Sequence, residues 1–212
     1  MRLSTMRLSP SPLLLTLLPL ADSAARSSKR GLVFIPKEET PEDNGVWVQK
    51  GTDLTWYYNY HDRVSPAFAG VDQSKFEFVP MMWGVPDKSD GDTAFRDNVQ
   101  TLIKEQGVDI KHVMGFNEPD EKQKNGGSDI KPKDAAEAWI KNMVPLREMG
   151  IKVGLPAVTG SPRGLEWLKD FMDECKKELD EDDKECEFDF VPVHWYGPFE
   201  SMTGHIGERL VE

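Results

Sequence analysis

Several common classes are excluded by what this sequence has little of. It holds two cysteines in 212 residues, too few for a miniprotein held together by several disulfides. No histidine or further cysteine stands beside them, so they do not read as a zinc site. Basic residues are the scarcer charge, 26 against 37 acidic, for a formal net charge of -11. A polyanion needs a basic patch, so nucleic acid is not an expected partner. An anionic membrane surface is disfavoured on the same ground. The chain has no glycine-rich phosphate loop, no internal repeat and no apolar run long enough for a membrane span. It has no Asn-x-Ser/Thr sequon, so N-glycosylation is not expected. No metal or organic cofactor is implied.

A neutral or extracellular ligand suits the acidic balance better. The length allows one domain with a substantial core. It falls short of the roughly 250 residues typical of a complete (β/α)8 barrel. The N-terminus reads as a targeting segment: Arg2 and Arg7, the apolar run Leu13 to Leu20, then the small residues Ala21, Ser23, Ala24 and Ala25. That order is a secretory signal, too short to cross a bilayer. Lys29-Arg30 follows, either as a processing site for a secretory protease or as a solvated linker. Residues 1–30 are therefore set aside as signal peptide and possible pro-segment, and 31–212 are taken as the folded domain. In a secreted chain, Cys175 and Cys186 suggest one disulfide, with two free thiols as the alternative.

From residue 31 onward, short apolar runs alternate with helical patterns. Six runs read as strands: Gly31 to Ile35, Leu54 to Tyr60, Phe76 to Trp83, His112 to Phe116, Ile151 to Pro156 and Phe188 to Tyr196. Such nearly continuous runs are expected of parallel strands covered on both faces. Helices are expected over Asp92 to Gln106, with Gly107 as its stop, over Pro132 to Met149, kinked at Pro145, and over Leu165 to Leu179. The acidic stretch Asp180 to Asp183 reads as a solvated loop. The alternation implies βα units and a parallel sheet, an α/β fold.

In a βα barrel the C-terminal ends of the strands form the active face. Here those ends present Tyr57, Tyr58 and Asn59; Met82 and Trp83; Asn117 and Glu118; and His194, Trp195 and Tyr196. Aromatic faces stack on pyranose rings, and amides or carboxylates take sugar hydroxyls. Each aromatic alone reads equally as core; their recurrence at successive strand ends points to a sugar site. Within His112–Asp120 (HVMGFNEPD) an apolar strand runs directly into Asn-Glu-Pro. The proline forbids a continued ladder, so Glu118 is held at the strand end, where a partly desolvated carboxyl group suits general-acid chemistry. The competing reading is a turn with a merely solvated glutamate.

GFNEPD, FVPMMWG, WYYNY, LPAVTGS and VPVHWYG, in this order and spacing, resemble glycoside hydrolase family 128. That family includes fungal alkali-sensitive-linkage cell-wall proteins and endo-β-1,3-glucanases, and the Cys175/Cys186 pair also resembles its fungal members. The resemblance covers residues 31–200. It implies a (β/α)8 TIM-barrel fold and retaining hydrolysis of β-1,3-glucan, as polysaccharide or oligosaccharide, by a protein outside the cell or in its wall. It implies Glu118 as general acid/base and Asn117 as its substrate-binding neighbour. Tyr58, Asn59, Trp83, His194, Trp195 and Tyr196 would line the cleft.

Retaining chemistry needs two carboxyl groups about 5–5.5 Å apart. The resembled family places its nucleophile at the end of the seventh strand. After Tyr196 the sequence reads as a short polar tail, Gly197 to Glu212, whose Glu200, Glu208 and Glu212 end no apolar strand. The expectation is a C-terminally incomplete barrel of about six βα units, lacking the nucleophile, inactive if complete as it stands, with exposed edges at the first and sixth strands. The alternatives to a glucan hydrolase are a non-catalytic, secreted glucan-binding or wall-associated protein, and a secreted acidic domain whose motifs only pack its core.

Overall fold

In the computed structural model, which describes residues 29–85, 92–179 and 186–210, short parallel strands alternate with helices. Residues 1–28 of the expected signal and pro-segment, the acidic stretch Asp180 to Asp183 and Glu212 lie outside the described residues. The strands are β1 (Gly31–Val33), β2 (Trp56–Tyr58), β3 (Glu77–Phe78), β4 (His112–Met114) and β5 (Lys152–Gly154). β2 pairs in parallel with both β1 and β3, and β4 pairs in parallel with β5. A parallel bridge between Met81 and Met114 joins the two groups, and another between Gly154 and Phe190 adds the last segment. Each stretch thus lies beside the one before it in the chain, as the βα reading predicts.

The strands are shorter than expected. Pro80 interrupts the third run after Phe78, and contact with β4 comes only through the bridge at Met81. The expected sixth strand, Phe188 to Tyr196, is not a strand. It holds on through Asp189 N–H to Val153 O (2.8 Å) and Leu155 N–H to Phe190 O (3.0 Å), and Pro192 then removes a donor.

The helices follow the apolar periodicity closely. α1 (Ala94–Lys104) buries Phe95, Val99 and Leu102. α2 (Pro132–Glu148) opens on proline and buries Ala135, Trp139, Met143 and Leu146. It ends as a Schellman motif: Gly150 N–H reaches Arg147 O at 2.8 Å and Ile151 N–H reaches Leu146 O at 3.2 Å. Pro145 lies inside this helix. The Lys141 carbonyl it leaves without an intrahelical donor accepts from Arg96 Nη1 at 3.5 Å. α3 (Pro162–Leu179) buries Trp167, Phe171 and Cys175. Cys175 and Cys186 form a disulfide, so the two-thiol alternative falls. The tail expected after Gly197 is instead a helix from Phe199, α4 (Phe199–Leu210).

The core sits between helices and sheet, around Tyr57, Phe68, Phe78, Trp139 and Phe171. Successive strand side chains point to opposite faces. Tyr57, one of the strand-end aromatics, therefore turns to the helix side among Phe34, Phe68, Phe76 and Phe78. Burial pushes its hydroxyl up to about 12. Trp56 and Tyr58 turn to the other face, where Tyr60, Trp83 and Phe190 pack with them around Val79, Met81 and Met114.

Candidate active site

The loop after β4 is built around Glu118. Its backbone N–H donates to Ala157 O, beyond β5, at 2.7 Å. Its carbonyl accepts from Glu121 N–H (2.9 Å) and Ser128 N–H (3.3 Å). Its φ is +41°, although a residue before proline is normally held extended. A conformation of this kind costs about 1–3 kcal/mol and persists only where its surroundings over-determine it. The loop then folds back: Asp129 N–H reaches Glu121 O at 3.0 Å, and Ile130 N–H reaches Pro119 O at 3.0 Å. Gly127 passes so close that an added Cβ would lie 2.3 Å from Glu121 O and 2.6 Å from Glu118 O.

The side chain of Glu118 is one-sixth exposed, and its Oε1 lies 2.7 Å from His194 Nδ1. The two residues are 76 positions apart in sequence. A strand-end carboxyl group and an imidazole therefore share one hydrogen bond at the mouth of the sheet.

The other expected residues fall into two sets. Asn117 is buried. Its N–H donates to Trp83 O at 3.0 Å and its Nδ2 to Gly126 O at 3.0 Å. Its Oδ1 has no hydrogen-bond partner among the described residues. Trp83 packs on the same face as Tyr58 and Tyr60. The Tyr58 hydroxyl is pushed well above the ordinary tyrosine range, first by burial, then by the hydrogen bond and charge of Tyr60, then by Tyr196. It remains an O–H at any physiological pH. Tyr58, Tyr60 and Tyr196 thus gather, with Tyr196 itself 87% exposed. Asn59 is used otherwise. Its Nδ2 donates to Arg63 O at 2.9 Å and its Oδ1 accepts from His61 N–H at 3.2 Å, so its amide shapes its own turn. Trp195 turns to α4: its Nε1 donates to Pro198 O (3.1 Å), and its ring packs on His205 at 4.8 Å.

Sequence reasoning missed Tyr60 and His205. Buried His205 approaches His194 O at 3.1 Å through Nε2, so α4 supports the backbone that carries the imidazole. The spacing Met202, His205, Ile206 is an available sign of an inward helical face. A second carboxylate–imidazole pair, Glu77 with His112 at 2.9 Å, sits at the opposite, N-terminal ends of the strands, away from the face where βα folds place their chemistry. Among the described residues, no group of three or more His, Cys, Asp or Glu is arranged to hold a metal.

Comparison with known proteins adds to this geometry. The model of the family described as "Glycosyl hydrolase catalytic core" matches residues 31–210. Alkali-sensitive linkage protein 1 of Schizosaccharomyces pombe is 30% identical over 183 residues, 85% of this chain. The chain spans 28% of that relative's length. Among solved structures, a curdlan-specific exo-β-1,3-glucanase of Blastomyces gilchristii (family 128, subgroup III), in complex with glucose, superposes with a TM-score of 0.62. It is 26% identical, and the match covers 86% of this chain and 69% of that one. An oligosaccharide-binding protein of Trichoderma gamsii (family 128, subgroup VII) shares the fold at a TM-score of 0.52 and 22% identity, over 84% of this chain and 59% of that one.

Proposed function

This chain belongs to the glycosyl hydrolase catalytic core family and groups with glycoside hydrolase family 128, and from that premise we propose that it engages β-1,3-glucan and serves its hydrolysis, with Glu118 as proton donor. The observation that carries the reading is Glu118 itself, at the end of β4, mostly shielded and hydrogen-bonded to His194. As the acid, Glu118 protonates the leaving glycosidic oxygen; as the base, it takes a proton from the incoming water. His194 steadies the carboxyl group in both states. Asn117, its Nδ2 tied to Gly126 O, braces the loop beside Glu118. Trp83 and Tyr196 supply ring faces for pyranose stacking, and Tyr58 donates its retained O–H. In this reading the consecutive parallel strands are staves of a (β/α)8-type barrel. The disulfide fits secretion into an oxidising exterior.

A retaining mechanism requires a second carboxyl group about 5–5.5 Å from the first. Among the described strands, Glu118 is the carboxylate placed at a C-terminal end. The oligosaccharide-binding neighbour of Trichoderma gamsii raises a second reading, a β-1,3-glucan-binding protein without turnover. One experiment separates the two: laminaripentaose binding by calorimetry, with product analysis, for the wild type and Glu118→Gln. Hydrolysis predicts binding in both, with turnover falling about 10²–10⁴-fold in the variant. Binding without product in either supports the second reading. Absence of binding by the wild type refutes both.

A further inference from the structure

We propose that Asp120 is a positioning residue for Glu118: it fastens the loop after β4 to the loop after β5, and so aims the carboxyl group at His194. The inference rests on the reading of Glu118 as the working carboxylate, and its own content is the link from Asp120 to Thr159. Asp120 Oδ1 accepts from Thr159 N–H at 2.9 Å, and Oδ2 accepts from the Thr159 hydroxyl. The hydroxyl oxygen of Thr159 also lies 2.8 Å from Ser161 Oγ. Both carboxylate oxygens are therefore committed to a segment 39 residues away in sequence. The fit is tight. A Cβ added at Gly164, in the first turn of α3, would lie 2.6 Å from Thr159 O and 3.1 Å from Asp120 Oδ2.

The link spans the strained residue. On one side of Glu118, the Ala157 N–H donates to Phe116 O at 2.9 Å, and Asn117 forms a parallel bridge with Ala157. At Glu118 itself, the N–H donates to Ala157 O at 2.7 Å. On the far side, Asp120 holds Thr159. Residues 116 to 120 are thus fastened to 157 to 159 before, at and after the positive φ. Releasing the last fastening lets Glu118 relax toward the extended conformation that a residue before proline prefers. Such relaxation moves the carboxyl group away from His194.

The test is the imidazole ¹⁵N signature of His194 in the full 212-residue chain at one fixed pH, which reports the hydrogen bond at Nδ1. Glu118→Gln supplies the reference for the altered bond. In Asp120→Ala and in Thr159→Val, the His194 shifts are expected to move toward that reference, and the double variant to move no further than the larger single. Asp120→Asn, which retains an acceptor for the Thr159 N–H, is expected to return part of the way. Should Asp120→Ala fail to fold, Thr159→Val, close to isosteric, carries the test. His194 shifts that stay at wild-type values in folded Thr159→Val and Asp120→Asn would overturn the proposal. So would a signature that Glu118→Gln leaves unmoved, since no Glu118–His194 bond would then exist to be aimed. A clamp signature present in a chain that neither binds nor cleaves glucan would count against the function proposed above and for the positioning role.

Discussion

Glu118 is held by its backbone as much as by its side chain. Its carbonyl accepts two N–H groups, its own N–H is spent on Ala157, and its φ of +41° is unfavourable for any residue with a Cβ. The loop that achieves this has room for only hydrogen at Gly127, because a methyl group there would meet the carbonyls of Glu118 and Glu121. Neither oxygen can move without giving up the Glu121 or Asp129 hydrogen bond. Gly127→Ala is therefore expected to cost about 1–3 kcal/mol in urea denaturation, and to weaken glucan binding more than its stability loss explains. A wild-type midpoint in that variant would mean the loop is not held as described. Glu118 and His194 were expected on one rim because each falls at or near the end of an apolar run, and the structure sets their side chains 2.7 Å apart. The Asp120–Thr159 link was not, since pairing across 39 residues leaves no local pattern. Core and site were left open for Tyr57 because co-location at a strand end does not say which face a side chain takes; strand alternation decides that, and puts Tyr57 in the core.

Elements with a strong apolar period were read to within a few residues: α1, α2 and α3 all begin and end near the expected positions. α4 escaped because Gly204 and Gly207 lower its helical propensity and its inward face is narrow. The strands were overextended because a parallel ladder needs a partner at every other residue, and prolines 80 and 192 withdraw donors where apolar character continues. α3 shows an element finished by covalent chemistry. Its last turns carry a mostly polar sequence after buried Cys175, and the bond to Cys186 ties the following segment to the core. Beyond that bond, Glu187 and Asp189 both pair with Arg147 of α2. Replacing both cysteines by serine is expected to cost about 2–3 kcal/mol for a loop this short. The check is the denaturation midpoint of Cys175→Ser/Cys186→Ser against the oxidised wild type. Reduction of the wild type should reproduce the loss, and a midpoint insensitive to reduction would remove the disulfide from the account.

At the scale of the whole molecule, the sheet has two margins. β1 pairs with β2 alone among the described residues, and the last bridge, at Phe190, pairs with β5. Along the first margin Val33 is 50% exposed and Ile35 72%. Between the strand N-termini lies an open hollow of about 670 Å³ lined by Trp56, Glu77, His112, Met114 and Phe190. Unpaired backbone beside exposed apolar side chains is a template for association. Opposing it is the net charge of -11, which repels a second copy over roughly a Debye length, about 8 Å at physiological salt. The two effects have different salt dependence. Added salt screens the repulsion and leaves edge pairing and apolar contact in place, so self-association of the 212-residue chain should rise with ionic strength. An association driven by ion pairs would fall instead. Sedimentation equilibrium across salt concentrations distinguishes these. Val33→Glu/Ile35→Glu, which adds two negative charges to the open edge of an acidic chain, should lower the weight-average mass at every concentration while leaving laminaripentaose binding unchanged. A chain that stays monomeric at high salt and high concentration would mean that these margins are protected in solution.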